Sequence, residues 1–399
     1  MLSSFHPTAI FKDHGKSGSR GSILRSILVS VQFFIAIVIL TGTIVVYQQL
    51  NYMQNKDLGF DKDRVITIER AGVLNEKMQS FIAELKKFPE IIDATNSTSV
   101  PGFPNSDNSF MIEGRSLNDT YVMYTTWTDF NFLNTYKLKL AAGRFFSPDI
   151  PTDSACVVIN EAALRKMELP NPIGTRIMKP TYTGTYDYLP IIGVLKDFHF
   201  QSLHRKIEPY ILLIKPKNFD WGGIVSVRIG KGDMNKAIRE IENTWKQFTN
   251  SQPFEYKFLD DQLNELYKEE TRTSYLAVTF TFLAILIACL GLLGLISYST
   301  SQRTKEIAVR KIMGARIPAI VSLLSSEIFR LIIIASVAAW PAAYFLLKSW
   351  LSDFAFRIHL SPFVFLSTTL IVLCISLATI GYQSVWAATR NPADSLRYE

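Results

Sequence analysis

The stretch 27-ILVSVQFFIAIVILTGTIVVY-47 contains no charged residue and one strongly polar side chain, Gln32. A helix of this length covers the roughly 30 Å hydrocarbon layer of a membrane at about 1.5 Å per residue. The same signal returns at 275-YLAVTFTFLAILIACLGLLGLISY-298, at roughly 318–347, and at 362-PFVFLSTTLIVLCISLATIGYQSVWAA-388. With 48% hydrophobic residues concentrated in these runs, the sequence predicts four transmembrane helices rather than buried helices of a large soluble protein.

The distribution of Lys and Arg beside the spans predicts their orientation, because cytoplasmic span ends carry an excess of these residues. Cations precede the first span, fill 301-SQRTKEIAVRKIMGAR-316 and follow the fourth span. The connection 348–361 has only Lys348 and Arg357. We therefore expect both termini and residues 301–316 in the cytoplasm. The net charge of +7 is then mostly a topology signal, and no nucleic-acid partner is expected.

The long segment between the first two spans has the pattern of an extracytoplasmic α+β domain. Residues 64–100 and 224–260 each read as strand, helix and strand, and Asp233 is a candidate N-cap of the second helix. Together they predict one ferredoxin-like lobe, into which the strand-rich segment 101–222 is inserted. A helix starting at Asp261 is expected to continue into the second span without a break.

The predicted class is an α-helical membrane protein with four transmembrane helices plus an α+β extracytoplasmic domain. The basic leader reads as an uncleaved anchor. The predicted segments are 1–25 (cytoplasmic), 26–48 (first span), 49–272 (extracytoplasmic domain), 273–299 (second span), 300–317 (cytoplasmic coupling loop), 318–348 (third span), 349–361 (extracytoplasmic turn), 362–387 (fourth span) and 388–399 (cytoplasmic tail).

The sequence offers little support for catalysis. The fragment 13-DHGKSGS-19 lacks the first glycine of a phosphate-binding loop, and no G-x-S-x-G nucleophile motif occurs. In 196-KDFHFQSLHR-205, Asp197, His199 and His204 could be imagined as metal ligands, but polar contacts that stabilise the fold explain them better. Cys156 is alone in the outer domain, so no disulfide is expected there. We predict neither an enzyme nor a bound cofactor or metal.

The cationic stretch 301–316 predicts a short capped helix. Over residues 302–313, Arg303, Glu306 and Arg310 fall on one polar face, and Gly314 suits the C-cap. A loop that only fixed the orientation of the spans would need the charge but not the helical pattern. This stretch therefore predicts a docking surface for a partner.

The segment 303-RTKEIAVRKIMGA-315 resembles the R-x-x-E-I-x-[IV]-R-[KR]-x-[ILM]-G-A signature of the FtsX-like, MacB-type permeases of ABC transporters. The resemblance covers nearly the whole chain. It continues in 138-LKLAAGRFF-146, 157-VVINEAALRKMEL-169, 171-NPIGTRI-177, 193-GVLKDFHFQSLH-204, 340-WPAAYFLLKSWLSDFAFRI-358 and 391-NPADSLRYE-399.

The resemblance implies a permease in the bacterial inner membrane that meets a separate ABC ATPase subunit. ATP-driven closure of the ATPase would move the extracytoplasmic domain rather than pull a substrate through the bilayer. Other implied partners are a second permease half, membrane lipid, and a periplasmic adaptor or substrate. An alternative is a membrane-anchored receptor without an ATPase. The residues expected at the ATPase contact are Arg303, Lys305, Glu306, Ile307, Arg310, Lys311, Gly314 and Ala315.

The amino terminus, 4-SFHPTAIFK-12, lines up with the tail, 389-TRNPADSLR-397, at Pro7 with Pro392. It thus resembles the end of a preceding module. We therefore expect the chain to correspond to the second half of a tandem, eight-span permease, which would act either with itself or with another half.

Overall fold

A computed structural model of the chain describes residues 17–104, 106–181, 183–216, 223–250, 252–302, 313 and 317–389. They form two compact units. The α+β unit consists of the described parts of Met53–Lys268 together with Phe354–Phe356. The helical unit consists of the described parts of Met1–Tyr52, Glu269–Asp353 and Arg357–Glu399.

The helices and strands are numbered here in chain order. The helices are α1 (Ser17–Asn55), α2 (Met78–Leu85), α3 (Phe132–Tyr136), α4 (Glu161–Lys166), α5 (Met234–Phe248), α6 (Leu259–Glu265), α7 (Lys268–Gln302), α8 (Ile317–Leu351) and α9 (Pro362–Thr389). Short 3₁₀ helices cover Ala71–Lys77 and Pro151–Ala155. The strands are β1 (Val65–Ile68), β2 (Ile91–Ser97), β3 (Asp107–Ile112), β4 (Tyr121–Thr128), β5 (Leu140–Gly143), β6 (Val157–Asn160), β7 (Arg176–Pro180), β8 (Tyr186–Leu195), β9 (Tyr210–Ile214), β10 (Ile224–Ile229) and β11 (Tyr256–Phe258).

The helical unit supplies the candidate membrane spans. Within the described residues, Ile23–Asn55, Lys268–Tyr298, Ser325–Leu351 and Pro362–Tyr382 are long and apolar enough to cross a membrane. The predicted class, four such helices plus an α+β domain, is confirmed. At most 33% of the most hydropathic stretch of any one span is buried. Wide apolar faces therefore remain for lipid or for partner helices.

Hydroxyl groups join the spans to one another. Thr41 Oγ1 on α1 donates to Thr368 Oγ1 on α9 at 3.1 Å, and the hydroxyls of Thr43 on α1 and Thr281 on α7 lie 2.6 Å apart. Trp340 Nε1 on α8 donates to Thr369 on α9. Such bonds associate helices in lipid, where packing of apolar side chains alone gives little net driving force.

About a third of the α+β unit is the predicted ferredoxin-like lobe. Its strands lie in the order β11-β1-β10-β2, and every neighbouring pair is antiparallel. Helices α2 and α5 cover one face of this sheet, where Phe81 and Trp245 pack against its apolar side chains. Asp233 caps α5 by accepting from the backbone N–H groups of Asn235 and Lys236, as the sequence predicted.

The inserted segment forms a closed barrel, which the sequence did not predict. Its described strands pair in a ring, β4-β3-β7-β8-β6-β9, that closes where β9 pairs in parallel with β4. Strand β5 adds to the outside of β8. A single pairing, Ser97 with Thr128, connects the barrel to β2 of the ferredoxin-like lobe. A closed ring leaves none of its strands with an exposed edge, which stabilises so strand-rich an insertion.

The predicted unbroken helix from Asp261 is wrong. Helix α6 ends at Glu265 and α7 begins at Lys268. The turn between them buries Tyr267, whose N–H donates to the Asn264 carbonyl with the shorter spacing of a 3₁₀ turn. Tyr267 O–H also accepts from the backbone N–H of Leu203 at 3.1 Å. This stretch contains no residue that breaks a helix, so the tertiary packing of Tyr267 explains why α6 and α7 are separate.

Candidate functional site

The eight residues predicted to contact an ATPase subunit lie outside the described residues, at 303–312 and 314–316. The structure describes the two helices that flank them: α7 ends at Gln302 and α8 begins at Ile317. Met313 is described between them, and its side chain is exposed. The ATPase contact therefore remains a prediction.

Within the α+β unit, three residues from the connection between α8 and α9 are docked on the segment that follows β8. The N–H groups of Ala355 and Phe356 donate to the carbonyls of His204 and Leu203, each at 3.2 Å. The Phe354 ring stacks on the His204 ring with centroids 4.3 Å apart. We call this arrangement the docking site; its residues are His199, Leu203, His204, Tyr267 and Phe354–Phe356.

His199 holds the other end of the docked segment. Its ring meets the Phe356 ring edge to face at 4.5 Å, and its backbone N–H donates to Leu58. Burial, aided by the Lys56 charge, lowers the pKa of His199 to about 4. The ring is therefore neutral at pH 7 and acts as an aromatic packing surface.

The three residues considered as metal ligands contact different partners. Asp197 accepts from the backbone N–H of Ala162 at 2.8 Å and from Arg165 at 2.5 Å, so it caps the first turn of α4. His204 Nδ1 pairs with the Ser202 hydroxyl at 2.8 Å. The part of the chain that the structure describes contains no group of three or more His, Cys, Asp or Glu residues arranged to hold a metal.

Truncation of Phe354 is expected to release the docked segment. The Phe354 side chain is buried, and removing a buried phenylalanine ring costs about 3–5 kcal/mol. In the full chain in detergent, Phe354→Ala should raise hydrogen exchange in peptides that contain Ala355 and Phe356, while exchange in β10 stays unchanged. Phe363→Ala is the matched control, because that ring is exposed. Equal exchange in both variants would contradict the assigned role of Phe354.

A buried carboxyl lies where the two lobes of the α+β unit meet. Asp129 follows β4 and accepts from the Thr95 hydroxyl at 2.5 Å and from the Asn96 N–H at 2.8 Å, both on β2. It also accepts from the Asn131 N–H, which begins the turn into α3. Asp129 thus joins the barrel, the ferredoxin-like lobe and α3.

Burial raises the pKa of Asp129 to about 6, and the nearby Asp93 adds to the shift. The hydrogen bonds from Thr95, Asn96 and Asn131 act in the opposite direction but do not cancel the cost of burying the charge. A raised native pKa means that the folded state binds the proton more tightly than the unfolded chain. The resulting stability is complete below about pH 4 and is lost as the pH rises through about 6.

We expect Asp129→Asn to remove this pH dependence. A pKa raised from 3.8 to about 6 corresponds to roughly 3 kcal/mol, at about 1.4 kcal/mol per unit. The melting temperature of the wild type, minus that of Asp129→Asn, should therefore be larger at pH 4.5 than at pH 7.5. The lowered pKa of His199 makes stability fall as the pH drops, the opposite direction. His199 is present in both proteins, so its contribution cancels in the difference. An identical difference at both pH values would contradict the assignment.

Two family models match the chain. Residues 27–240 match the MacB-like periplasmic core domain, and residues 278–392 match the FtsX-like permease C-terminal domain. The first match covers more than half of the chain. It includes most of α1 and most of the α+β unit, and the second match covers most of α7 together with α8 and α9.

Known proteins resemble this chain over part of its length. The chain is 25% identical over 191 residues to the macrolide export ATP-binding/permease protein MacB of Aggregatibacter actinomycetemcomitans, a match that covers 45% of this chain and 28% of that protein. The solved periplasmic region of MacB from Actinobacillus actinomycetemcomitans is 17% identical, with a TM-score of 0.38, and the match covers 54% of this chain and 97% of that one. A domain of a permease protein from Porphyromonas gingivalis is 19% identical, with a TM-score of 0.35, and the match covers 49% and 89%.

Proposed function

Because the chain belongs to the FtsX-like, MacB-type family of ABC transporter permeases, we propose that it couples ATP hydrolysis on a separate ATPase subunit to movement of its α+β unit. The observation that carries the proposal is the order of the two family matches along one chain: one candidate span, then the periplasmic core domain, then three further spans. In this role the chain transmits force and performs no catalysis of its own.

The proposed orientation follows from the docking site together with the charges. Because Phe354–Phe356 belongs to the α+β unit, we propose that the connection between α8 and α9 lies on the same side of the membrane as that unit. If α7 and α8 each cross once, residues 303–316 lie on the opposite side. Their cationic character favours the cytoplasm, where ATP is available, and the α+β unit is then periplasmic. Both termini are cytoplasmic in this topology.

Two attachments would carry movement into the α+β unit. Helix α7 begins directly after Tyr267, a member of the docking site, and α8 ends three residues before Phe354. The coupling loop lies between the far ends of these same two helices. A displacement of the loop by the ATPase would therefore act on the docking site through both helices. Since α6 and α7 are separate helices, movement of α7 would reach the α+β unit through the turn at Tyr267 and not through one continuous helix.

The topology can be tested by labelling with a membrane-impermeant maleimide. In a chain whose native cysteines are replaced, Met313→Cys should stay unlabelled in intact spheroplasts and become labelled after permeabilisation. The control is Leu117→Cys, an exposed position in the α+β unit, which should be labelled without permeabilisation. Labelling of Met313→Cys in intact spheroplasts would reject the proposed function.

The partner can be tested by purification of the tagged full chain from membranes. An ATPase subunit should be recovered in a fixed ratio with it, and recovery should fall when the coupling loop is altered. A chain recovered without any ATPase but with a ligand on the α+β unit would favour the receptor alternative.

A further inference from the structure

A cavity of about 530 Å³ lies between α1 and α7 within the helical unit and is open at its surface. Its lining includes Arg25, Gln32, Gly291, Gly294, Ser297 and Tyr298. The volume falls in the roughly 300–1,000 Å³ range of pockets that hold small molecules. Both helices are candidate membrane spans, so once they are inserted in a membrane the open side of the cavity faces lipid or another helix.

The cavity is a groove with a polar end and an apolar interior. Arg25 contacts Tyr298 at one end, and Gln32 contacts Gly291 at the other. The contacts are seven residues apart on each helix, so the groove is about 10 Å long. The polar layer of one leaflet is roughly 5–8 Å thick, so a groove of this length extends from the headgroups into the hydrocarbon.

At the polar end, the Arg25 guanidinium is held over an aromatic ring. Its central carbon lies 3.8 Å from the centroid of the Tyr298 ring, which keeps the planar group in a defined position. Such a group presents several N–H donors in a geometry that matches phosphate oxygens. Phosphate is the anion that a phospholipid offers at this depth.

At the inner end, glycines make room and an amide lacks a partner. A Cβ atom at Gly291 would lie 2.0 Å from Gln32 Oε1, so the amide fits only because residue 291 is glycine. Gln32 Oε1 is buried and has no hydrogen-bond partner. A Cβ at Gly294 would meet no heavy atom within 4 Å, so the groove is open at that level.

From these observations we propose that the groove binds one anionic phospholipid, with its phosphate on Arg25 and its glycerol esters and first acyl carbons between Gln32 and Gly294. The site is additional to the proposed function and requires no ATPase. A helix from a second copy is the competing occupant. The large exposed side chains on α7, such as Leu283, Ile287 and Leu290, are apolar and offer Arg25 no anion, whereas a phospholipid supplies both the anion and the chain.

Quenching by brominated lipids can test the proposal with the full chain. In a chain whose six native tryptophans are replaced by phenylalanine, Tyr298→Trp retains an aromatic ring under Arg25 and introduces a single indole beside the groove. The variant would be reconstituted in phosphatidylcholine vesicles with a small fraction of phosphatidylglycerol, either lipid carrying brominated acyl chains. The choline cation neutralises the phosphate charge of phosphatidylcholine, whereas phosphatidylglycerol keeps a net negative charge for Arg25. We therefore expect brominated phosphatidylglycerol to quench the introduced indole with roughly tenfold higher apparent affinity than brominated phosphatidylcholine.

Two pairs of variants test separately the charge of Arg25 and the open space beside Gly294. In the Tyr298→Trp background, Arg25→Gln should abolish the preference for phosphatidylglycerol, and Arg25→Lys should retain part of it. Gly294→Leu should fill the groove and reduce quenching by both lipids. The matched control is Gly381→Leu on α9, where a Cβ also meets nothing within 4 Å, and this change should leave quenching unaltered.

Three results would overturn the proposal. Equal quenching by the two lipids with Arg25 present would show that the groove does not select an anionic headgroup. Competition by millimolar inorganic phosphate would indicate a site for a soluble anion instead. Efficient disulfide cross-linking between two copies carrying Gly294→Cys, in a chain without its native cysteines, would assign the groove to a second copy.

Discussion

Replacing both Glu306 and Arg310 with alanine is expected to abolish stimulation of the partner ATPase while the chain still inserts into the membrane. The two residues are four apart, so in the predicted helix they lie on one face. Truncating one member of a charge pair that is buried at an interface typically costs about 2–5 kcal/mol, which corresponds to a loss of affinity of roughly thirtyfold or more. The ATPase activity of the reconstituted complex should then fall to that of the ATPase alone.

A matched surface pair provides the control for this experiment. Glu242 and Lys246 are also four apart, on α5, and their side chains form a salt bridge of 2.6 Å at the surface of the α+β unit. Exposed pairs of this kind contribute only about 0.3–0.5 kcal/mol, so replacing both with alanine should leave stimulation and insertion unchanged. Full stimulation by the Glu306 and Arg310 double variant would refute the coupling assignment.

Long, uncharged runs and local periodicity made most of the architecture predictable. The four spans required only length and hydropathy, and the ferredoxin-like lobe required two strand-helix-strand patterns. The barrel left no comparable local signal, because its closure depends on parallel pairing of Tyr124 with Tyr210 across 86 residues of chain. Pairings between such distant residues arise from tertiary packing, which hydrophobic pattern alone does not encode.

The docking site shows the same limit. The alternation of 354-FAF-356 indicates a short extended segment, but nothing in the sequence names Leu203 and His204 as its partners. The break between α6 and α7 was missed because Leu266 and Tyr267 are acceptable helix residues, and only the burial of Tyr267 explains it. By contrast, the ATPase contact rests entirely on the sequence pattern in 303–315.

The polar face of β10 was the least predictable part of the core. In 224-IVSVRI-229, Val225 and Val227 alternate with Ser226 and Arg228, a pattern typical of a strand with one solvent-exposed face. In the structure both faces are buried, because α3 covers the polar one. The Tyr136 hydroxyl of α3 donates to Ser226 Oγ at 2.6 Å. Arg228 is consequently only 3% exposed.

Arg228 compensates for its burial by bonding the backbone that covers it. Its Nε donates to the Thr135 carbonyl at 2.5 Å, and its Nη atoms donate to the carbonyls of Asp61 and Asp63 at 2.5 and 3.1 Å. Nη1 also lies 3.2 Å from the Asp61 carboxylate. The Thr135 carbonyl belongs to the last turn of α3, where carbonyls lack partners within the helix. One guanidinium thus fixes both α3 and the chain entering β1.

Arg228→Met is therefore expected to destabilise the α+β unit strongly. The substitution keeps an unbranched side chain but leaves the three carbonyls without their donor, while the Asp61 carboxylate keeps Lys137 at 2.6 Å. Each buried polar group left unsatisfied costs about 1–3 kcal/mol, so the three carbonyls together cost roughly 3–5 kcal/mol or more. For a unit of this size, at roughly 2–4 °C per kcal/mol, the melting temperature of the full chain in detergent should fall by about 10 °C. Arg228→Lys should recover only part of the loss, because a single ammonium cannot replace a planar group with donors in several directions.

The control for Arg228 is Arg176, which forms a salt bridge of 2.8 Å with Glu113 and has a side chain that is 53% exposed. Exposed ion pairs contribute about 0–1 kcal/mol, so Arg176→Met should shift the melting temperature by only a few degrees or less. Similar melting temperatures for Arg228→Met and Arg176→Met would mean that α3 is held by its apolar contacts alone. The covering of β10 would then result from the packing of Phe132 and Tyr136 rather than from the guanidinium.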